Sequence, residues 1–130
     1  MPGKTLFLAP TFDHAASLGA AENNKNRVDR LTTRDKQRDM SAYVKRAKSA
    51  FFDKEGKRIS TVEAFRLAAK KRPKAAPIWL AKLRDTSVAQ YYSIFKRICM
   101  DLISPEETRF ALEMLRLNRE RMLEAGEVLR

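Results

Sequence analysis

Residues 104–126 read Ser104-Pro105-Glu106-Glu107-Thr108-Arg109-Phe110-Ala111-Leu112-Glu113-Met114-Leu115-Arg116-Leu117-Asn118-Arg119-Glu120-Arg121-Met122-Leu123-Glu124-Ala125-Gly126. A serine cap, a proline in the first position and two acids in the first turn open a helix. Phe110, Ala111, Met114, Leu115 and Met122 then share one face at about 100° per residue, with Arg116, Arg119, Glu120 and Glu124 opposite. Gly126 suits a C-terminal stop. A long amphipathic helix of this kind needs other elements to cover its apolar face, so the fold is expected to be mainly α.

Working outward, Val88, Tyr91, Tyr92, Phe95, Ile98 and Cys99 repeat at helical spacing behind a cap at Asp85 to Ser87. Pro77 can begin the short helix before it, with Trp79, Leu80 and Leu83 inside. Ser60 and Glu63 form a capping-box pair that opens a helix carrying Val62, Phe65, Ala68 and Ala69. It runs out at Lys71, because Arg72 precedes Pro73 and is pushed out of the α region. Residues 53–58 include Gly56 and read as a polar turn. Ser41 can cap a helix through about Phe51, with Tyr43, Ala47, Ala50 and Phe51 on its face. Residues 22–31 are polar, with only Val28 and Leu31 as apolar anchors, and read as a weak helix or loop. No fixed-period repeat and no linker divide the chain. The expectation is one domain over residues 1–130, with five or six helices and a single short strand at the N-terminus.

Composition narrows the class. The 130 residues carry 27 Lys and Arg against 16 Asp and Glu, a net charge of +11. The excess is uneven: ten cations to five acids in residues 1–50, twelve to four in 51–100, and five to seven in 101–130. No apolar run approaches the roughly 18 residues of a membrane span. A single cysteine excludes a disulfide framework and a Cys-based zinc finger. Cys99 lies among Ile98, Met100 and Leu102, so a buried structural thiol is expected. Regularly spaced aromatics argue against low-complexity disorder. The chain is also too short to hold a whole two-lobed enzyme.

At the N-terminus the apolar run is too short for a secretory signal, so the cytoplasm is the default compartment. Thr5-Leu6-Phe7-Leu8 reads as a strand after a Pro2-Gly3 turn, and Pro10 ends it. Asp13 and His14 follow directly. The catalytic inventory is otherwise thin. His14 is the single histidine, and no second His or Cys completes a metal site. Four glycines form no phosphate-cradling loop. An acid at a strand end, in a small-residue loop, can reach a metal-bound phosphate. It can equally cap a turn, which on spacing alone is the commoner use.

The segment Leu8-Ala9-Pro10-Thr11-Phe12-Asp13-His14-Ala15-Ala16-Ser17-Leu18-Gly19 resembles the part of HipA-like serine/threonine kinases that holds their metal-binding aspartate. The resemblance continues through Leu31-Thr32-Thr33-Arg34-Asp35, Tyr43-Val44, Ser60 to Phe65, Trp79-Leu80 and Ser104 to Arg119, in the family's order. It covers most of the chain, and the first block is its most specific part. It implies a kinase-like fold with a helical C-lobe. Asp13 would help hold Mg²⁺ between the phosphates of ATP, as the aspartate of the Asp-Phe-Gly motif does in ordinary kinases. Ser17, Leu18 and Gly19 would shape the turn after it, and His14 would have a local hydrogen-bonding role.

In the family the phosphate cover, the lysine, the catalytic base and the second metal ligand lie upstream of this segment. The resemblance therefore implies the C-terminal portion of such a kinase, toxin-type and silent by itself. Its partners would be a separate N-lobe chain or a DNA-binding antitoxin protein. Two rival readings stand beside it. One is a basic helical module that binds nucleic acid through Lys70, Lys71, Arg72 and Lys74. The other is a helical interaction piece with exposed apolar surface and no catalytic role.

Overall fold

The structure is a computed structural model that describes residues 17–127. Among the described residues there are six helices and two strands. In chain order they are α1 (Asn24–Thr32), α2 (Met40–Lys45), β1 (Lys48–Phe52), β2 (Arg58–Ser60), α3 (Thr61–Lys71), α4 (Ala75–Asp85), α5 (Val88–Phe95) and α6 (Pro105–Glu127). The mainly α expectation holds. The strand expected at Thr5–Leu8 lies outside the described residues.

Helix α6 is the organising element, 23 residues and about 35 Å long. Each of the other five helices packs on it. Ser104 and Glu107 build a reciprocal capping box at its start. The Glu107 amide donates to Ser104 Oγ at 3.2 Å, and the Ser104 amide donates to Glu107 Oε2 at 2.8 Å. Its first half buries Phe110, Ala111 and Met114 against Met40 and Val44 of α2, with Leu18, Leu31, Tyr43 and Leu117 packed around them. The Tyr43 ring meets Phe110 edge-on at 5.3 Å.

Two arginines of α6, Arg119 from the face expected to point to solvent and Arg121, close the ends of neighbouring helices. Arg119 donates to the carbonyls of Leu83 at 3.1 Å and Arg84 at 2.6 Å, at the end of α4. Arg121 donates to the Val44 carbonyl at 2.7 Å, at the end of α2. Cations on the last carbonyls of a helix add hydrogen bonds there and complement the helix dipole.

Several expectations change. The helix expected from Ser41 to Phe51 starts instead at Met40, behind Asp39, whose carboxylate accepts from the Ala42 amide at 2.9 Å. It stops at Lys45, and residues 48–60 form an antiparallel hairpin pairing Lys48 with Ser60 and Phe52 with Arg58. The turn between them dictates this outcome. Asp53 Oδ1 accepts from the amides of Glu55 at 3.0 Å and Lys57 at 2.8 Å, and Gly56 takes φ +78°. Gly126 is not a stop. It lies inside α6, buried, where a Cβ would strike the Leu80 side chain of α4. Glycine is thus what lets these two helices approach. The helix through Cys99 ends at Phe95 and gives way to successive turns, so the Cys99 thiol is exposed rather than buried. The weak segment 22–31 does form a helix, and it is held by a buried arginine, not by Val28, which is exposed.

Candidate functional site

Asp13 and His14 lie outside the described residues. Ser17 is the first described residue after them. Leu18 and Gly19 take consecutive left-handed conformations, φ 54° and 76°. The Ala20 amide donates to the Ser17 carbonyl at 3.1 Å, and the Glu22 amide donates to Gly19 at 3.0 Å. Ser17 to Gly19 do shape a turn. Gly19 is needed twice over, for its φ and because a Cβ would collide with the buried Phe110 ring.

Arg27 clamps this turn. It is 6% exposed, the sole buried charged residue among those described. Its guanidinium donates to the carbonyls of Gly19 at 3.2 Å and Ala20 at 3.4 Å, and to Asn24 Oδ1 at 2.6 Å. The same group pairs with Glu107 Oε1 at 2.8 Å. Glu107 therefore caps α6 with one oxygen and holds Arg27 with the other. The Ser104 amide, and the positive charge of Arg27 after it, keep its carboxyl below the ordinary glutamate value. Beside the clamp, Arg30 lies 4.6 Å over the Tyr43 ring and 3.4 Å from Glu22. Burial pushes the Tyr43 phenol up. Arg30 Nε and Glu22 Oε2 are buried with no hydrogen-bond partner among the described residues.

This clamp has no local signature, because Arg27 sits in a polar stretch and its partner is eighty residues away in the chain. No group of three or more His, Cys, Asp or Glu side chains that could hold a metal exists among the described residues.

The second feature lies on α3 and α4. The structure brings Lys70 and Lys71, in the last turn of α3, together with Arg72 and Lys74 in the connection to α4, and all four are exposed. None of them forms an ion pair with a described residue. Next to them an apolar groove of about 530 Å³ runs between α3, α4 and α6, with Trp79 on its side. No described helix is long and apolar enough to cross a membrane. Compared with known proteins, the chain matches no protein-family model, no curated protein and no solved structure.

Proposed function

We propose that the chain is the C-terminal helical part of a HipA-like serine/threonine kinase, and that its helical body anchors the segment carrying Asp13. One observation carries the reading: the turn that ends this segment is seated on the core by Gly19 against Phe110 and tied down by Arg27 and Glu107. A metal-binding aspartate works only if it is held within a fraction of an ångström of its productive position, which a clamp a few residues away supplies.

Mg²⁺, when bound, would neutralise charge on the transferred phosphate. Asp13 is one oxygen donor where Mg²⁺ prefers six. The described residues add no ligand cluster, so they do not by themselves fit a Mg·ATP site. The phosphate cover, lysine, base and further ligand have to come from another lobe or chain. That lobe, or an antitoxin protein, is the partner this reading requires.

The test starts with the DNA upstream of the Met1 codon. A frame encoding a phosphate-binding loop, a lysine strand and a catalytic aspartate supports the reading. Mixing that product with this chain should restore Mg·ATP-dependent phosphorylation, and Asp13→Asn should abolish it. Robust phosphorylation by the purified chain alone would sink the proposal.

The exposed, unpaired Lys70, Lys71, Arg72 and Lys74 support a second reading, sequence-independent binding of nucleic acid. Reversing these charges should then remove low-salt binding of duplex DNA and flatten its salt dependence. No binding by the parent chain removes this reading.

A further inference from the structure

We infer that the groove between α3, α4 and α6 docks an acidic amphipathic helix of a partner protein. The inference does not depend on the kinase reading. It concerns a surface remote in sequence from Asp13, and it stands or falls on its own measurement.

The groove exists because its floor is made of residues too small to fill it. Helices α3 and α4 are joined by only three residues, so they diverge from a common corner. Ala68 of α3 and Ala76 of α4 face the space between them, with Phe65, Trp79, Leu83 and Met122 around it. The lining is almost wholly apolar. Its polar members are Arg72, Lys82 and Thr86, and no acidic side chain lines it. Trp79 remains 54% exposed and Ala68 is exposed as well. A contiguous apolar surface of this kind, with charges at its margin, marks an interaction site.

Charge decides the occupant. Arg72 and Lys82 stand on the groove itself, and Lys71 and Lys74 lie on the adjoining surface around Arg72 and Ala75. None of the four forms an ion pair with a described residue, and Lys82 instead lies 4.7 Å over the Trp79 ring. Unpaired cations around an apolar trough complement a ligand with an apolar stripe and acidic flanks. A helix presenting anchors at i, i+3, i+4 and i+7 with Glu or Asp beside them has that pattern. The rim charges would steer the encounter and fix the register, and the floor would supply the affinity.

Two other occupants fit worse. A small molecule is oriented by a few convergent polar groups, and beyond the two cations the groove offers one threonine hydroxyl. A single-stranded nucleic acid would use aromatic platforms for its bases. The lining holds Phe65 and Trp79, but Lys82 already occupies the Trp79 face, and alanine and leucine give bases nothing to stack on.

Trp79 is the chain's one tryptophan, so its emission reports the groove directly. The probe is a synthetic helical peptide with Leu at i, i+3, i+4 and i+7 and Glu on its other positions. Titrated into the full chain, it should give a saturable blue shift with Kd on the order of 10 μM. Replacing its Glu by Lys should weaken binding about tenfold or more. Ala68→Leu fills the floor from an exposed position and should cost about tenfold. Arg72→Glu with Lys82→Glu, which leaves the floor intact, should cost a similar factor. The proposal is overturned if Trp79 emission does not respond. It is equally overturned if the Lys peptide or the Ala68→Leu chain binds as well as the originals, or if a single-stranded oligonucleotide shifts Trp79 and the Glu peptide does not.

Discussion

Replacing Arg27 by methionine removes the charge and keeps most of the side-chain volume, so it isolates what the clamp contributes. In the folded chain the Arg27 side chain is 7% exposed, and its guanidinium serves Glu107, Asn24 and the carbonyls of Gly19 and Ala20. Removing one member of a well-buried ion pair costs about 3–5 kcal/mol. Here the discount is substantial, because the Glu107 side chain is 34% exposed and keeps its bond from the Ser104 amide. Water can solvate the released carboxylate and reach the Ala20 carbonyl. The Gly19 carbonyl keeps its bond from the Glu22 amide, so losing the Arg27 bond there costs about 0.5–1.5 kcal/mol. The expected total is about 2–3 kcal/mol, a large share of the roughly 5–15 kcal/mol that holds an average domain. The assay is urea unfolding followed by far-ultraviolet circular dichroism, with the slope checked to confirm that the cooperative unit is unchanged. A cycle with Glu107→Gln gives the coupling, expected at about 1–2 kcal/mol. A loss below about 0.5 kcal/mol, or strictly additive single changes, would refute the clamp as a source of stability.

Three further outcomes follow from the same geometry. Gly19→Ala should destabilise by about 2–4 kcal/mol, from the left-handed backbone and the displaced Phe110 ring together; a cost under about 1 kcal/mol in urea titration would contradict the packing described. Gly126→Ala sets a helix-propensity gain of about 1 kcal/mol against crowding of Leu80. It should be net destabilising in the parent chain and neutral or stabilising in a Leu80→Ala background, as read from the two melting temperatures. For pH, the folded-state pKa of Glu107 lies below its ordinary value of 4.5. The unfolded chain therefore binds the proton first on acidification, so the stabilisation is complete above about pH 4.5 and is lost as pH falls through the folded value. Glu107→Gln should flatten that acid limb of the melting temperature, and an unchanged limb would show that the acid sensitivity lies elsewhere.

The parts of the fold legible in the sequence are those whose physics is local. Helix α6 has a cap, a first-turn proline and a long apolar stripe, and Ser60 and Pro73 bracket α3 closely. The hairpin was missed because Ser49 to Phe52 is short, and a short apolar run does not separate strand from helix by periodicity. Its Phe51 and Phe52 are both exposed, so no in-and-out alternation marks the strand. The usable signal is the polar turn at residues 53–58, which becomes the tip of a hairpin only when strands flank it. Arg27 and Gly126 could not be read locally at all. Each acquires its role from a partner far along the chain, Glu107 in one case and Leu80 in the other. Asp13 is visible through its motif alone. The groove was invisible because alanines in a helix read as propensity, and only the divergence of α3 from α4 turns them into a floor.

The distribution of apolar surface gives these observations a common cause. The two largest fully buried side chains are Val44 and Phe110, both at the first half of α6. There large residues interlock, and the Gly19 turn is part of the interlock. Along the second half, contact depends on small residues: Ala69, Ala125 and Gly126 are buried there. Small residues let backbones approach but bury little area, and at about 25 cal/mol per Å² they contribute little hydrophobic stabilisation. The large side chains nearby, Trp79 and Ile78 among them, stay exposed. So do Phe51 on the hairpin, at 67%, and Met100 before α6, at 87%. Evenly scattered exposed hydrophobics would be ordinary. Here Phe110 and Met114 on the first half of α6 interlock with α2, and an apolar groove opens where α3 and α4 meet the second half. Side-chain size sets that difference: Phe110 and Met114 fill the space between α6 and α2, whereas Ala68, Ala69 and Ala76 leave the space between α3 and α4 open.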